Sequence, residues 1–326
     1  MGVPEPVSEI VAIVDRENHL TGETRRARMR TEHLPHRAAA IFVRNAEGAY
    51  FVQQRSSGKD IYPGYHDVAA GGVVLAGESY SQAAARELAE ELGISGAPLQ
   101  AMFDYYYESE TNRVWSRAYL CKHGGPFVLQ ADEVAGGRFM TPAEIAASAM
   151  PFTPDGLAML ARLEELAGRR VANTIFLHGL DSSGRGNKGR FFQESFADVF
   201  CPDFSGDLEN RLQLLREIVG VRAGLILVGS SFGGLMATRL ATSRPQTIRR
   251  LILLAPALNM DGFQPPREKI DIPTLLVIGR HDTATPPQIV LPLARASFAA
   301  LEIREVDDDH LLRETFPKMD WRRLLA

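Results

Sequence analysis

The second half of this chain carries four short, nearly unbroken apolar runs: Val171 to Leu177, Gly224 to Gly229, Arg250 to Ala255 and Pro273 to Gly279. A strand wetted on one face alternates apolar and polar residues, whereas an unbroken run marks a strand buried on both faces, as in a parallel sheet. Helical patterns at Leu208 to Val219, Gly233 to Thr242 and Pro287 to Ala296 separate the runs. This alternation predicts a doubly wound, mostly parallel α/β sheet. The runs begin only beyond Ala167-Gly168-Arg169-Arg170, and 326 residues exceed the usual size of one compact domain. Two domains are therefore expected, at 1–168 and 169–326, with no repeat relating them.

Within that half, Leu225 to Gly234 reads LILVGSSFGG, which places Gly229-Ser230-Ser231-Phe232-Gly233 between a predicted strand and a predicted helix. This is the context a nucleophile elbow requires. The glycines let neighbouring backbone approach a strained serine, here Ser231, whose hydroxyl stands above the sheet at a helix N-terminus. The competing reading is a Gly-Ser-rich turn in an inactive α/β domain. Three further stretches bear on the choice: Phe176-Leu177-His178-Gly179-Leu180, GRHDTATPP and VDDDH.

With these stretches the half resembles the α/β-hydrolases, especially small esterase-like members whose opening has the form HGLDSS. The resemblance implies an ester or thioester hydrolase with Ser231 as nucleophile, Asp282 as orienting acid and His310 as base, in the family's chain order. It also implies an oxyanion hole from the backbone amides of Leu180 and Phe232. His178 is a loop-shaping residue in that family, and His281 precedes the acid. Asp307, Asp308 and Asp309 adjoin His310, but neighbours along an extended chain point different ways, which leaves Asp282 as the orienting acid. The short domain has no room for a large lid, so an open site for small or surface-presented acyl groups is expected. SSGRGNKGRF reads as a solvated loop beside that site, with attraction of an anionic substrate as the alternative.

The first half is organised around Gly72 to Ile94, GVVLAGESYSQAAARELAEELGI. Ser79 and Gln82 form a capping-box pattern and Gly93 a C-terminal stop, so a helix of about a dozen residues is expected between them. Glu87, Glu90 and Glu91 then share one face, while Ala85, Leu88 and Leu92 turn toward a core. Three carboxylates on one face repel one another. Arg86 offsets part of this by reaching Glu90, and a hard divalent cation with oxygen ligands offsets more. A solvated acidic helix is the plainer alternative.

Every position of this stretch fits the box of the Nudix hydrolases, and the half resembles that family. The resemblance implies an α/β/α sandwich, hydrolysis of a diphosphate linkage in a nucleoside diphosphate joined to another group, and Mg²⁺ or Mn²⁺ held by Glu87, Glu90 and Glu91. A backbone carbonyl from the Gly71-Gly72 region, assigned to Gly72, joins them. The run from VDREN through LPHRAAA and QQRSSGKDIYPGYHD looks most like the branch that includes isopentenyl diphosphate isomerase. That isomerase carries a cysteine and a histidine on either side of the first box glycine, where this chain has Gly71 and Val73. Neither transfers a proton, so hydrolysis is expected and isomerisation is not.

Glu91 is a candidate base for the attacking water, and Glu133 a second one, with a merely solvated Asp-Glu pair as its alternative. Arg55 and Lys59 are candidate phosphate partners. His36 reads as a hydrogen-bonded core histidine, with the metal-binding histidine of the isomerase branch as the alternative that resemblance implies, and Tyr105 to Tyr107 with Trp115 read as core aromatics, with stacking on a base as theirs. A net charge of −4 gives no support for binding duplex nucleic acid. Cys121 and Cys201 stand alone, without metal-site or disulfide spacing, and read as reduced thiols. With no signal-like start and no run long enough to span a bilayer, a cytoplasmic enzyme acting on small molecules is expected. Assembly as a homodimer stays open, as does a nucleotide-sensing Nudix half that regulates the esterase without turnover.

Overall fold

The computed structural model describes residues 9–167 and 173–326. The chain divides into two compact units, with the split between Glu165 and Leu166. The 168/169 boundary read from the sequence lies outside the described residues, as do Ser8, where alternation predicts a strand from Ser8 to Asp15, and Val171 and Ala172 of the first apolar run.

The first unit is a mixed α/β structure. It opens with β1 (Ile10–Val14) and β2 (Leu20–Arg25), an antiparallel pair, followed by the short helix α1 (Arg26–Thr31). Neither β2 nor α1 was expected. The burial pattern of β2 shows why: it is solvated on both faces, so the sequence carries no alternation to read. Next come β3 (His36–Arg44), β4 (Tyr50–Arg55), β5 (His66–Asp67) and β6 (Ala70–Val73), then α2 (Tyr80–Leu92). β7 (Leu99–Glu108), β8 (Arg113–Lys122), β9 (Val134–Met140), α3 (Pro142–Ala147) and α4 (Pro154–Ala167) complete it. β3 is the hub, pairing in parallel with β8 along its length and antiparallel with β1, β4 and β6. Its run Ala39 to Val43 is buried, as a strand covered on both faces requires. β9, which was not expected as a strand, pairs with β4.

α2 has the expected capping box, and Gly93 closes it in the left-handed region at φ 68°. The predicted faces need one correction. Leu88 and Leu92 are buried, but Ala85 is exposed, and Ala83 and Ala84 face the core instead. Glu91 is itself buried, so the three carboxylates straddle the boundary between cleft and core. The start of α2 is held by charge. Arg117 of β8 makes a bidentate pair with Asp104 of β7 (2.7 and 3.2 Å), and its guanidinium lies 4.4 Å from the ring centroid of Tyr80. Both members of the pair are fully buried. Removing one partner of such a pair typically costs about 3–5 kcal/mol, because the other charge is left in an apolar surround.

The second unit is a six-stranded parallel sheet in the order β11-β10-β12-β13-β14-β15. In chain order its elements are β10 (Thr174–Leu177), α5 (Asn187–Ser195), β11 (Val199–Phe200), α6 (Leu208–Val219), β12 (Leu225–Ser230) and α7 (Phe232–Ser243). β13 (Ile248–Leu254), β14 (Thr274–Gly279), α8 (Pro287–Ser297), β15 (Leu301–Val306) and α9 (Trp321–Leu325) follow. The four apolar runs became β10, β12, β13 and β14, the inner strands. Phe176, Val228, Ile252 and Val277 from these strands join Phe192, Phe316 and Trp321 in one buried cluster. Each such side chain contributes roughly 1.5–3 kcal/mol on burial. The sequence reading is corrected at SSGRGNKGRF, whose second part is the first turn of α5 rather than loop. No helix among the described residues is long and apolar enough to cross a membrane.

Candidate active sites

In the first unit a cleft of about 350 Å³ is lined by side chains of β3, α1, α2, the β4–β5 loop and the start of α4. β6 delivers two adjacent glycines to it. A Cβ at Gly71 would lie 2.0 Å from the Ala39 carbonyl oxygen across the β3–β6 ladder, and one at Gly72 would lie 2.4 Å from Glu87 Oε1. Gly72 thus makes room for the Glu87 carboxylate against the strand. Burial, with Glu91 and Glu90 nearby, pushes Glu87 up to about 7 despite its contact with Arg86. Arg86 reaches further than the expected i,i+4 pair. It donates to Glu90 (3.2 Å), but also to Glu87 (2.7 Å), to both oxygens of Glu78 (3.0 Å each) and to the Val73 carbonyl (3.1 Å).

Glu91 is met from another direction. Its Oε2 accepts from the Gly71 amide (2.9 Å) and Gln53 (3.2 Å), and its Oε1 from Lys59 (3.0 Å). Lys59 also contacts Glu133, so one ammonium bridges both candidate bases. Arg55 lines the cleft, yet its guanidinium donates to the Ile61 and Tyr62 carbonyls and lies 3.6 Å from Asp67, which ties it to its own loop. His36 is buried, its Nδ1 3.0 Å from the Leu34 carbonyl. Burial and the Arg30 charge lower it to about 4, so it is neutral. Trp115 donates to the Arg16 carbonyl and stacks on Tyr106, with both rings partly wet rather than in the core.

Glu87, Glu90 and Glu91 present the hard oxygen donors a divalent cation takes. Among the described residues, however, no three His, Cys, Asp or Glu side chains converge in the arrangement of a metal site. Arg86 bridges Glu87 and Glu90 instead, and Lys59 pairs with Glu91. Sequence reasoning missed two features of this cleft. Arg26 and Arg30 of α1 line it, and they were hidden by failing to see that helix. Asp67 and Asp155, distant in sequence, also face it; burial and then Asp155 raise Asp67 well above the carboxylate range.

In the second unit β12 runs into α7 through Ser231, which sits at φ 53°, ψ −116°. A non-glycine residue there stores roughly 1–3 kcal/mol of strain, held by its surroundings. The surroundings are tight: a Cβ at Gly233 would lie 2.0 Å from the Leu177 carbonyl oxygen, and one at Gly229 2.4 Å from that of Gly233. Ser231 Oγ is 3.1 Å from His310 Nε2, and His310 Nδ1 is 2.8 Å from Asp282 Oδ2. Asp282 is buried and accepts three more bonds, from the Ala284 and Thr285 amides and the Thr285 hydroxyl (2.9, 2.7 and 2.6 Å). With Asp282 accepting from Nδ1–H, His310 Nε2 keeps a lone pair toward Ser231.

The other histidines and aspartates are engaged elsewhere. His178 accepts from the Phe204 amide and bonds the Gly179 carbonyl, shaping its loop. His281 pairs with Asp307, and Asp308 receives the Glu314 and Thr315 amides. Leu180 and Phe232 flank the serine, Leu180 on the wall of its cavity and Phe232 as the first residue of α7. Thr285 went unread; an Asp followed three residues later by a threonine was its signal.

Comparison with known proteins places the two units in families. Residues 34–163 match the NUDIX domain model, and residues 158–267 match the model of serine aminopeptidase S33, ending before Asp282 and His310. An uncharacterized Nudix hydrolase of Yersinia pestis is 43% identical over 158 residues, covering 48% of this chain and 87% of its own length. The uncharacterized Nudix hydrolase YfcD of Escherichia coli K12 is 44% identical over 154 residues, covering 47% and 86%. Among solved structures, mouse alpha/beta hydrolase domain-containing protein 10 aligns at 18% identity over 47% of this chain and 90% of that one, with a TM-score of 0.39. The chain therefore belongs to the Nudix hydrolase family and joins to that domain a hydrolase unit of the α/β type.

Proposed function

We propose that the chain is a bifunctional hydrolase with domains at 1–168 and 169–326. The first hydrolyses a nucleoside-diphosphate-linked substrate, and the second an acyl ester or thioester. In the second, Ser231 Oγ attacks the carbonyl carbon as His310 Nε2 takes its proton. Asp282 steadies the resulting imidazolium, and the amides of Leu180 and Phe232 receive the oxyanion. His310 then protonates the leaving oxygen or sulfur, and water repeats the sequence on the acyl-serine. The observation that carries this reading is the unbroken hydrogen-bond chain Ser231–His310–Asp282 at 3.1 and 2.8 Å. Labelling by a fluorophosphonate that persists after Ser231→Ala would overturn it.

In the first domain, Glu87, Glu90, Glu91 and the Gly72 carbonyl would hold Mg²⁺ or Mn²⁺, which when bound screens diphosphate charge and acidifies water. The room Gly72 leaves for a buried, charge-strained Glu87 supports this reading. Glu91 or Glu133 takes the proton of the attacking water, and Lys59, which neutralises both, is placed to turn toward a phosphate oxygen. Gly71 and Val73 offer no group for the isomerase step of the related branch. The test is product release from a panel of nucleoside-diphosphate compounds. Turnover unchanged in Glu90→Gln/Glu91→Gln would refute the assignment.

A further inference from the structure

The Ser231 cavity, about 500 Å³, has a mostly apolar wall built from Phe176, Phe191, Leu312 and Phe316. Into that wall projects Lys188, the second residue of α5. Its ammonium donates to the Leu311 carbonyl (2.6 Å) and lies 5.6 Å from the centroid of the Phe316 ring. Asp308 and Asp309 act on it by charge, without a hydrogen bond to it. Both of those aspartates are already engaged by backbone amides. Burial holds Lys188 below the usual lysine range.

The fold engages this cation only in part, through the Leu311 carbonyl and the Phe316 ring. A lysine in the first turn of a helix opposes the macrodipole, and an ammonium partly withdrawn from water with no direct ion pair is unfavourable. One carbonyl leaves two of its three N–H donors without a protein acceptor. Those donors line the same cavity as the Ser231 hydroxyl and His310, where a substrate anion would complete the arrangement. Arg313, exposed on the same wall, adds positive charge, while Asp181 at the rim is the opposing one.

Resting on the serine-hydrolase reading above, we infer that this site selects acyl esters or thioesters that combine an apolar segment with a terminal anionic group, carboxylate or phosphate, and that Lys188 receives that group. The specificity is thus set by one residue that takes no part in the bond-breaking steps.

The test compares three substrates on the full chain: p-nitrophenyl hexanoate, the ester of equal length ending in a carboxylate, and the one ending in a phosphate. Wild-type protein is expected to show a lower KM for one or both anionic esters. Lys188→Met should raise that KM about 10- to 100-fold, the range of a hydrogen bond to a charged group, with kcat and the neutral ester unchanged. Lys188→Arg should restore part of the loss. Whichever anionic ester loses more names the anion. Equal KM for neutral and anionic esters in the wild type, or equal loss on all three in Lys188→Met, overturns the inference while leaving the serine reading intact. If Ser231→Ala still turns over all three, the serine reading itself fails and takes the inference with it.

Discussion

The two candidate sites are built in opposite ways. Around Ser231 the hydrogen-bond chain is complete in the protein alone: each donor meets an acceptor, and the strained serine is fixed by glycines that admit backbone at close range. In the cleft of the first unit the carboxylates are held by Arg86 and Lys59, and Glu87 is pushed up to about 7 by burial beside its neighbours. One site is ready for a neutral carbonyl. The other is a charge balance that is completed by exchanging its internal cations for a metal and a polyanion, so its turnover should depend on ionic strength, whereas hydrolysis of a neutral ester at the serine site should not.

The largest expected effect lies at the serine. Ser231→Ala should lower kcat for an ester by roughly 10⁴-fold or more, measured in a chromogenic assay. A loss of tenfold would mean the hydrogen-bond chain is structural. In the cleft, Glu91→Gln should cost roughly 10²- to 10⁴-fold in diphosphate hydrolysis if that carboxylate takes the proton. Retained turnover would shift the role to Glu133.

The next two effects concern what holds the cleft together. Asp104→Ala removes the carboxylate paired with the buried Arg117 guanidinium beside Tyr80 and should destabilise the first unit by about 3–5 kcal/mol in urea denaturation, with Trp321→Phe making Trp115 the sole tryptophan reporter. A change under 1 kcal/mol would show that water reaches the pair. His36 gives a pH-dependent companion. Its folded value of about 4 lies below the ordinary 6.5, so between these pH values the unfolded chain binds more protons. Stability should therefore fall by up to about 3 kcal/mol as pH drops from 6.5 toward 4. His36→Gln should flatten that slope in the same denaturation series.

Smallest is Thr285→Val. Removing the hydroxyl that bonds Asp282 should lower esterase kcat about tenfold, the worth of roughly one buried hydrogen bond. An unchanged rate would show that the two backbone amides suffice to hold the acid.

The contrast between the sites also explains what could be read from the sequence. Parallel-sheet topology puts residues just past strand ends, so Ser231 and Asp282 each follow an apolar run, and His310 follows the last strand, LEIREV, whose alternation is weaker. The capping box and Gly93 fixed α2 to within a residue for the same local reason. Charges meeting across the first unit leave no such trace. Lys59 reaching Glu91, and Asp67 facing Asp155, depend on how loops fold back. Arg26 and Arg30 stood in a six-residue helix with a single buried side chain, too weakly patterned to see. Glycines misled at one place: those before α5 hid where a helix begins.

The most direct test is a crossed pair of substitutions on the full chain, Glu90→Gln/Glu91→Gln and Ser231→Ala, each assayed for metal-dependent diphosphate hydrolysis and for ester hydrolysis. Two separate centres should give a clean exchange, with each variant losing its own activity and keeping the other within about twofold. Loss of both activities from either change, or of neither, would contradict the account.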